Sequence, residues 1–374
     1  MEDNSNKIIF DSTIINKIEN KEDFKKKKGL NNNVYKYLFI ILIVGFILTI
    51  IYLKNQKNIH NSLNLKKLTF PFRYEEFDEK IKEKYIQFQN KFCEQQNDSL
   101  IPEFEKRITL ANADYLGKRF NMFVHTGKDY ISKSILYSFN WEAHYTLKVM
   151  RALDYYANKK KLENKDIYFL DIGSNVGWYT FFLGKFGYNI ISFEASNLNN
   201  YILHKNYCLN KDVNVTIINR GLDDEDKSCS FKESIKNNGN GMIFCENRDK
   251  NSSEFSGETT NNIELTKLSR YVKFLSSKNL AFVKIDVEGD EENVINGGKE
   301  LFTEYHVPFI MLEFDVALLD AHRTKTFEFL NFFDSIGYKI SLNDFYSKYY
   351  ATPKDIMEIP NILNLFLTYE KFLD

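Results

Sequence analysis

Short apolar runs recur along the C-terminal two thirds of the chain, and stretches with helical periodicity separate most of them. The runs cover residues 167–170, 189–194, 213–219, 281–286, 307–314, 337–340 and 363–369. Strands that alternate with helices form parallel sheets, because each connection must cross a face of the sheet. The pattern predicts an α/β fold with a doubly wound, mostly parallel, Rossmann-like sheet.

A longer apolar run lies near the N-terminus. Residues 37–53 are 17 consecutive residues without a charge, and residues 34–53 can span a hydrocarbon core of about 30 Å as one transmembrane helix. The run follows a polar tail and lacks a small-residue cleavage site, which argues against a signal peptide. Seven basic residues in 17–36 against five in 54–73 favour a cytoplasmic N-terminus and a lumenal domain, in the endoplasmic reticulum or Golgi.

The composition divides the chain into four parts. These are a polar tail (1–33), the transmembrane helix (34–53), a charged helical stem (54–109) and a globular domain (110–374). Residues 74–85 carry acids and bases at helical spacing and predict an exposed stem helix. Residues 233–262 are rich in Asn, Gly and Ser and predict a long loop or hairpin over the sheet edge, which would contact the acceptor.

Charge and cysteine content limit the function classes. The net charge is −1, so no overall field attracts nucleic acid, and no nucleic-acid partner is expected. The four cysteines, at positions 93, 208, 229 and 245, show no zinc-ligand spacing. We expect buried free thiols; a bridge between Cys229 and Cys245 in an oxidising compartment is the alternative.

A glycine turn follows the run at 167–170. The sequence reads Asp171-Ile-Gly173-Ser174-Asn175-Val-Gly177 and then continues into an aromatic helical pattern. A strand, a glycine turn and a helix form the arrangement that holds nucleotide-like ligands, since glycine lets the backbone approach the ligand closely. The D-x-G-x-x-x-G spacing is more typical of S-adenosylmethionine (AdoMet) sites than of NAD sites.

Acidic residues end two further runs. Glu194 ends 189–194, and Asp286 ends 281–286 with Glu288 two residues later. The carboxyl ends of parallel strands meet at one sheet edge, where ligands bind. Glu194 can accept hydrogen bonds from a ribose diol. Asp286 is the candidate base for an acceptor hydroxyl, with Glu288 and then His144 in reserve.

Metal ligation is an alternative use of the acids at this edge. Asp286 with Glu313 or Asp315 is one candidate pair, and Asp320 with His322 is another. These residues form no clustered ligand motif in the sequence. We therefore expect no metal.

Several segments resemble the FkbM-type methyltransferases. They are 169–177, 192–194, 283–291 (Val-Lys-Ile-Asp-Val-Glu-Gly-Asp-Glu), 294–298 and 311–314, and the resemblance covers about residues 140–345. The block around Lys284 to Glu291 is the most specific of them. The resemblance implies a Rossmann-like class I methyltransferase fold and AdoMet as cofactor.

The resemblance also implies roles for individual residues. The turn residues Asp171, Gly173, Asn175 and Gly177 would hold the methionine part of AdoMet, and Ser174 would belong to the same cofactor site. Glu194 would bind the ribose, and Asp223 would lie near the adenine. Many family members have proline after the second acid, whereas this chain has Ala195-Ser196.

The sequence as a whole favours a membrane-anchored methyltransferase that methylates a hydroxyl of a sugar or glycan. A lumenal domain would require AdoMet to be transported into the compartment. One alternative is a type II membrane glycosyltransferase that uses Asp224-Glu225-Asp226 as a D-x-D motif. Another is a non-catalytic protein that kept the methyltransferase fold.

Overall fold

The computed structural model describes residues 75–95, 102–233, 237, 241–245, 261–322, 324–359 and 364–373. The predicted polar tail, the predicted transmembrane helix at 34–53 and most of the loop at 233–262 lie outside the described residues. Within those ranges, no helix combines the length and apolarity that crossing a bilayer requires.

A seven-stranded sheet forms the centre of the fold, as the apolar runs predict. Its strands are β3 (Ile167–Ile172), β4 (Asn189–Phe193), β5 (Val215–Ile218), β10 (Asn279–Ile285), β11 (Phe309–Glu313), β12 (Tyr338–Ser341) and β13 (Asn364–Tyr369). Their order across the sheet is β12-β13-β11-β10-β3-β4-β5. All neighbours are parallel except β13, which is antiparallel to β11 and β12.

Helices cover both faces of this sheet. Successive strand residues point to opposite sides, and apolar residues occur on both of them. Phe169 belongs to one hydrophobic cluster and Leu170 to the other. Strands buried on both faces therefore appear in the sequence as continuous apolar runs. The first cluster includes α4 (Ala143–Lys160), α5 (Trp178–Gly184) and α6 (Asn197–Leu209), and the second includes α7 (Ser269–Ser276), α8 (Glu291–Asn296), α9 (Glu300–Thr303) and α11 (Thr326–Ser335).

The charged helix α1 (Glu79–Glu94) packs against the sheet domain, so the prediction of an exposed stem helix is wrong. Its Gln89 side chain donates to the Val215 carbonyl (3.1 Å) and accepts from the Ile217 amide (2.8 Å), and it thereby pairs edge strand β5. A disulfide joins Cys93 to Cys208 on α6. The globular domain thus begins before residue 110.

Before the central sheet, the chain forms elements that the sequence did not predict. Strands β1 (Ile108–Tyr115) and β2 (Lys118–His125) make an antiparallel hairpin, and β2 lies near α6. The short helix α2 (Pro102–Glu105) precedes the hairpin, and α3 (Tyr130–Ser138) follows it.

A second, four-stranded sheet contains the described ends of the predicted loop. Its order is β6-β9-β7-β8, with β6 (Gly221–Leu222), β7 (Lys227–Glu233), β8 (Gly241–Phe244) and β9 (Asn261–Thr266). A disulfide joins Cys229 of β7 to Cys245 after β8. The expectation of free thiols is therefore wrong for all four cysteines, since both pairs are bridged. The remaining helices are α10 (Val316–Ala321), α12 (Pro353–Met357) and α13 (Glu370–Leu373).

Candidate active site

The glycine turn begins directly after β3, where two strand ends approach closely. Gly173 has a φ of +76°, and a Cβ added there would lie 1.7 Å from the backbone oxygen of Asp286. Because Ile172 pairs with Ile285 in the sheet, Asp286 follows its strand at the level of Gly173. The turn therefore requires glycine for its conformation and for the lack of a side chain.

Glu194 lies at the end of β4 and holds the turn from the other side. Its two carboxylate oxygens accept from the backbone N–H groups of Asn175 (2.8 Å) and Ser196 (2.7 Å). The residue is 7% exposed. Burial raises the pKa of Glu194 to about 7, although the two amides oppose the shift.

The three strand ends surround a cavity of about 380 Å³. This is within the usual size range of small-molecule sites, about 300–1,000 Å³. Its polar lining includes Gly173, Asn175, Glu194, Asp286, Glu288 and Glu313. The cavity thus lies at the carboxyl edge of the sheet, where a doubly wound fold binds its ligand.

Asp286 forms an ion pair inside this site. Its Oδ2 is 2.8 Å from the Nζ of Lys284, whose side chain is 6% exposed. Burial disfavours the charged lysine, but the carboxylates of Asp286 and Asp171 outweigh it and raise the pKa of Lys284. The Lys284 ammonium thus offsets part of the negative charge at the edge of the sheet.

Carboxylates crowd the other side of Asp286. Leu312 pairs with Ile285, so Glu313, the last residue of β11, lies beside Asp286. Burial, together with the charges of Asp286 and Glu288, raises the pKa of Glu313 well above its usual range. Burial and Asp286 likewise raise the pKa of Glu288 to about 8, and burial raises that of Glu291 to about 7.

Glu288 reaches the cavity through an unusual turn. Its φ is +57°, and that of the next residue, Gly289, is +100°. The amides of Val287 and Gly289, on either side of Glu288, donate to Glu291 Oε1 at 3.0 and 3.2 Å. A non-glycine residue in the left-handed region carries strain, which is often found at functional sites.

Comparison with known families identifies the domain. The family model described as the methyltransferase FkbM domain matches residues 171–340. Residues 171–340 are a methyltransferase FkbM domain. The cofactor of this family is AdoMet. No curated protein sequence matches the chain.

Solved structures resemble the chain weakly. A 16S rRNA methyltransferase (RsmC) from T. thermophilus, in complex with AdoMet and guanosine, is 10% identical with a TM-score of 0.33, over 70% of this chain and 50% of that one. The N-terminal domain of human METTL16, in complex with SAH, is 11% identical with a TM-score of 0.31, over 75% of this chain and 93% of that one. The chain thus spans about half the length of the T. thermophilus enzyme.

The FkbM domain fits AdoMet on two structural grounds. AdoMet is a cation with a ribose diol, and the cavity contains several carboxylates that complement both features. The Gly173 turn leaves room where any side chain would collide with Asp286. Gly173 and Asn175 would hold the methionine part, and Glu194 the ribose.

Some predicted cofactor residues of the FkbM domain do not line the cavity but support the turn beneath it. Asp171 is 1% exposed and accepts from the Thr180 hydroxyl at 2.6 Å. Ser174 donates to the Phe193 carbonyl at 3.1 Å. A Cβ on Gly177, whose φ is +89°, would lie 2.7 Å from Leu203. These residues shape the turn and are absent from the cavity lining.

Asp223 is also absent from the cavity lining, although Gly221 and Leu222 before it contribute to it. Its carboxylate is 1% exposed and lies 2.8 Å from Lys227 Nζ. Asp223 thus has a protein partner. Its predicted place near the adenine remains a prediction.

The reserve and metal candidates have mixed outcomes. His144 does not line the cavity. Asp315 caps α10 by accepting from the amides of Ala317 and Leu318. His322 Nδ1 contacts Asp290 Oδ1 at 2.7 Å. In contrast to the expected lack of a ligand cluster, Asp286, Glu288 and Glu313 come together.

The D-x-D alternative receives no support from the geometry. Asp226 forms an ion pair with Arg270 and accepts from the Thr266 hydroxyl at 2.9 Å. The Asp224 and Glu225 side chains are 43% and 74% exposed. The triplet is a surface turn attached to the second sheet.

Sequence reasoning missed Glu142 as a site residue. It lines the cavity, has a φ of +44° and accepts from the Tyr179 hydroxyl at 2.8 Å. Burial raises the pKa of Glu142, and the charge of Lys284 opposes the rise. Phe231 and Ile243 of the second sheet also line the cavity. The sequence signal for Glu142 was its place after Trp141 at a helix start.

Proposed function

We propose that the chain transfers the methyl group of AdoMet to a hydroxyl of a sugar or glycan. The observation that carries the proposal is the position of Asp286, which lines the cavity beside the Gly173 turn and is paired with Lys284. AdoMet supplies an electrophilic methyl group on its sulfonium. The protein must align the acceptor oxygen with that group and remove the hydroxyl proton.

Asp286 is the proposed base. As the bond from the acceptor oxygen to the methyl carbon forms and the carbon–sulfur bond breaks, the hydroxyl proton passes to the Asp286 carboxylate. The Lys284 ammonium, 2.8 Å away, holds this carboxylate in place and offsets its charge. Glu288 is the reserve candidate for the same role.

Aromatic side chains at the cavity support a sugar acceptor. Tyr130 and Trp141 both line it, and Tyr130 is 65% exposed. Rings with one apolar face and one polar end can pack against a sugar ring and still bind water. The exposed Tyr130 ring would cost little to cover when an acceptor binds.

The proposed location is a single-pass membrane protein with its N-terminus in the cytoplasm and its FkbM domain in the endoplasmic reticulum or Golgi lumen. Residues 34–53 would contact the lipid bilayer. Support comes from the two disulfides, since such bonds persist in oxidising compartments. Protease treatment of sealed vesicles should leave a C-terminal tag intact; digestion without detergent would refute the lumenal placement.

Turnover assays test the chemistry. The full-length protein should methylate one class of released glycans with AdoMet. Asp286→Asn should keep AdoMet binding and lose about 10²–10⁴-fold in turnover, whereas Glu225→Gln, which removes an exposed carboxylate, should behave as wild type. Unchanged turnover in Asp286→Asn would exclude Asp286 as the base.

A further inference from the structure

We propose that Asp286, Glu288 and Glu313 bind a divalent cation, Mg²⁺ or Mn²⁺, which holds the acceptor hydroxyl in the cavity. This proposal rests on the proposed function, since the cation would bind the acceptor in the same site. The three residues each offer one carboxylate oxygen, and these oxygens lie within 4.8 Å of one another.

The sheet itself brings two of the ligands together. Asp286 follows β10 and Glu313 ends β11, and the two strands are paired up to Ile285 and Leu312. Glu288 joins them through the left-handed turn at Glu288 and Gly289. A constrained turn that directs a carboxylate toward two others brings like charges together, and either bound protons or a cation can relieve their repulsion.

Unsatisfied oxygens provide a second observation. Glu291 is 1% exposed, and its Oε1 is held by the amides on either side of Glu288. Its Oε2 is buried and has no hydrogen-bond partner among the described residues, and the same holds for Glu313 Oε2. The charge of Glu291 acts on both Glu288 and Glu313. Buried polar atoms in native proteins are nearly always paired, so an ion here has a physical rationale.

The donor set indicates the type of ion. Carboxylate oxygens are hard ligands that suit Mg²⁺ and Mn²⁺ rather than zinc or copper. Mg²⁺ usually takes one or two carboxylates and leaves other positions to water and substrate. The acceptor hydroxyl would fill one open position, and the cation would lower its pKa. Each residue offers one oxygen to the ion. The carboxylate of Asp286 also accepts from the Lys284 ammonium through Oδ2.

Electron paramagnetic resonance of Mn²⁺ tests the site without turnover. When Mn²⁺ is titrated into the full-length protein in detergent, the signal of free Mn²⁺ should be lower by the amount that corresponds to one bound ion per chain. Glu313→Gln and Glu288→Gln should each weaken binding by about tenfold or more, and the exposed-site control Glu225→Gln should not. Thermal melting of each variant shows that it is folded.

Two results would overturn the cation site. One is an undiminished free Mn²⁺ signal with folded wild-type protein. The other is Mn²⁺ binding that both substitutions leave unchanged. Calorimetry with AdoMet on the same samples separates this failure from that of the proposed function. A protein that binds AdoMet but does not bind Mn²⁺ refutes the cation site. A protein that binds Mn²⁺ but does not bind AdoMet refutes methyl transfer, while the cation site remains.

Discussion

Substitution of Gly173 by alanine probes the point where the two strand ends meet. A Cβ would lie 1.7 Å from the Asp286 carbonyl oxygen, and real Cβ atoms do not approach closer than 3.0 Å. The Gly173 turn and Asp286 must therefore separate by at least 1.3 Å, the difference between these distances. A displacement of about 1 Å in a reacting group costs on the order of 10²-fold.

Gly117 offers a matched control. It also has a φ of +76°, but a Cβ there meets no atom within 4 Å. Both Gly173→Ala and Gly117→Ala should lose about 1–2 kcal/mol of stability from the left-handed conformation. AdoMet affinity and turnover should fall about 100-fold in Gly173→Ala and stay at the wild-type level in Gly117→Ala.

Calorimetric titration with AdoMet measures the loss of affinity, and urea denaturation separately measures the loss of stability. Gly173→Ala should be folded but bind AdoMet far more weakly than Gly117→Ala does. Equal AdoMet affinity in the two variants would refute the claim that the close approach of Gly173 and Asp286 shapes the cofactor site.

Three more predictions concern stability. Replacing Cys93 and Cys208 by serine should lower the free energy of unfolding, measured with denaturant, by about 5 kcal/mol, because the bridge joins residues with a sequence separation of 115. Free thiols in the unreduced wild-type protein would contradict this. Lys284→Met should cost about 3–5 kcal/mol, because it leaves the Asp286 and Asp171 carboxylates without their cation; an unchanged unfolding midpoint would contradict it. The pKa of Glu194 is raised from 4.5 to about 7 in the folded state. About 3 kcal/mol of stability, present below pH 4.5, should therefore be lost as the pH rises through 7. Stability that rises over this pH range in thermal melts would argue against this prediction.

The central sheet could be predicted from the sequence because its strands are buried on both faces. Such strands are continuous apolar runs, and the helices between them have a different period. The hairpin of β1 and β2 gave no comparable signal. Its turn places Leu116 at a φ of +46°, and leucine is not a residue that indicates such a turn.

Contacts over long sequence separations could not be predicted. Gln89 replaces a neighbouring strand for β5 from 126 and 128 residues away, and no local pattern encodes this pairing. The same holds for the bridge between Cys93 and Cys208, because sequence alone does not fix disulfide connectivity. The charged residues of α1 correctly indicated its exposed face. They gave no sign of the buried face formed by Ile81, Tyr85 and Gln89.

The site was predicted at the level of motifs, but not of individual atoms. Gly173, Asn175 and Glu194 line the cavity, whereas Asp171 supports the turn from below. A motif identifies a turn, but the fold decides which side chains face the ligand. Glu142 reaches the cavity through its own left-handed backbone, which no spacing rule predicts.

Titration of the full-length protein with AdoMet in a calorimeter tests the central claim most directly. The FkbM domain predicts saturable binding of one AdoMet per chain, and Asp286→Asn should bind as well as wild type while it loses turnover. A folded wild-type protein that gives no AdoMet binding would contradict the account.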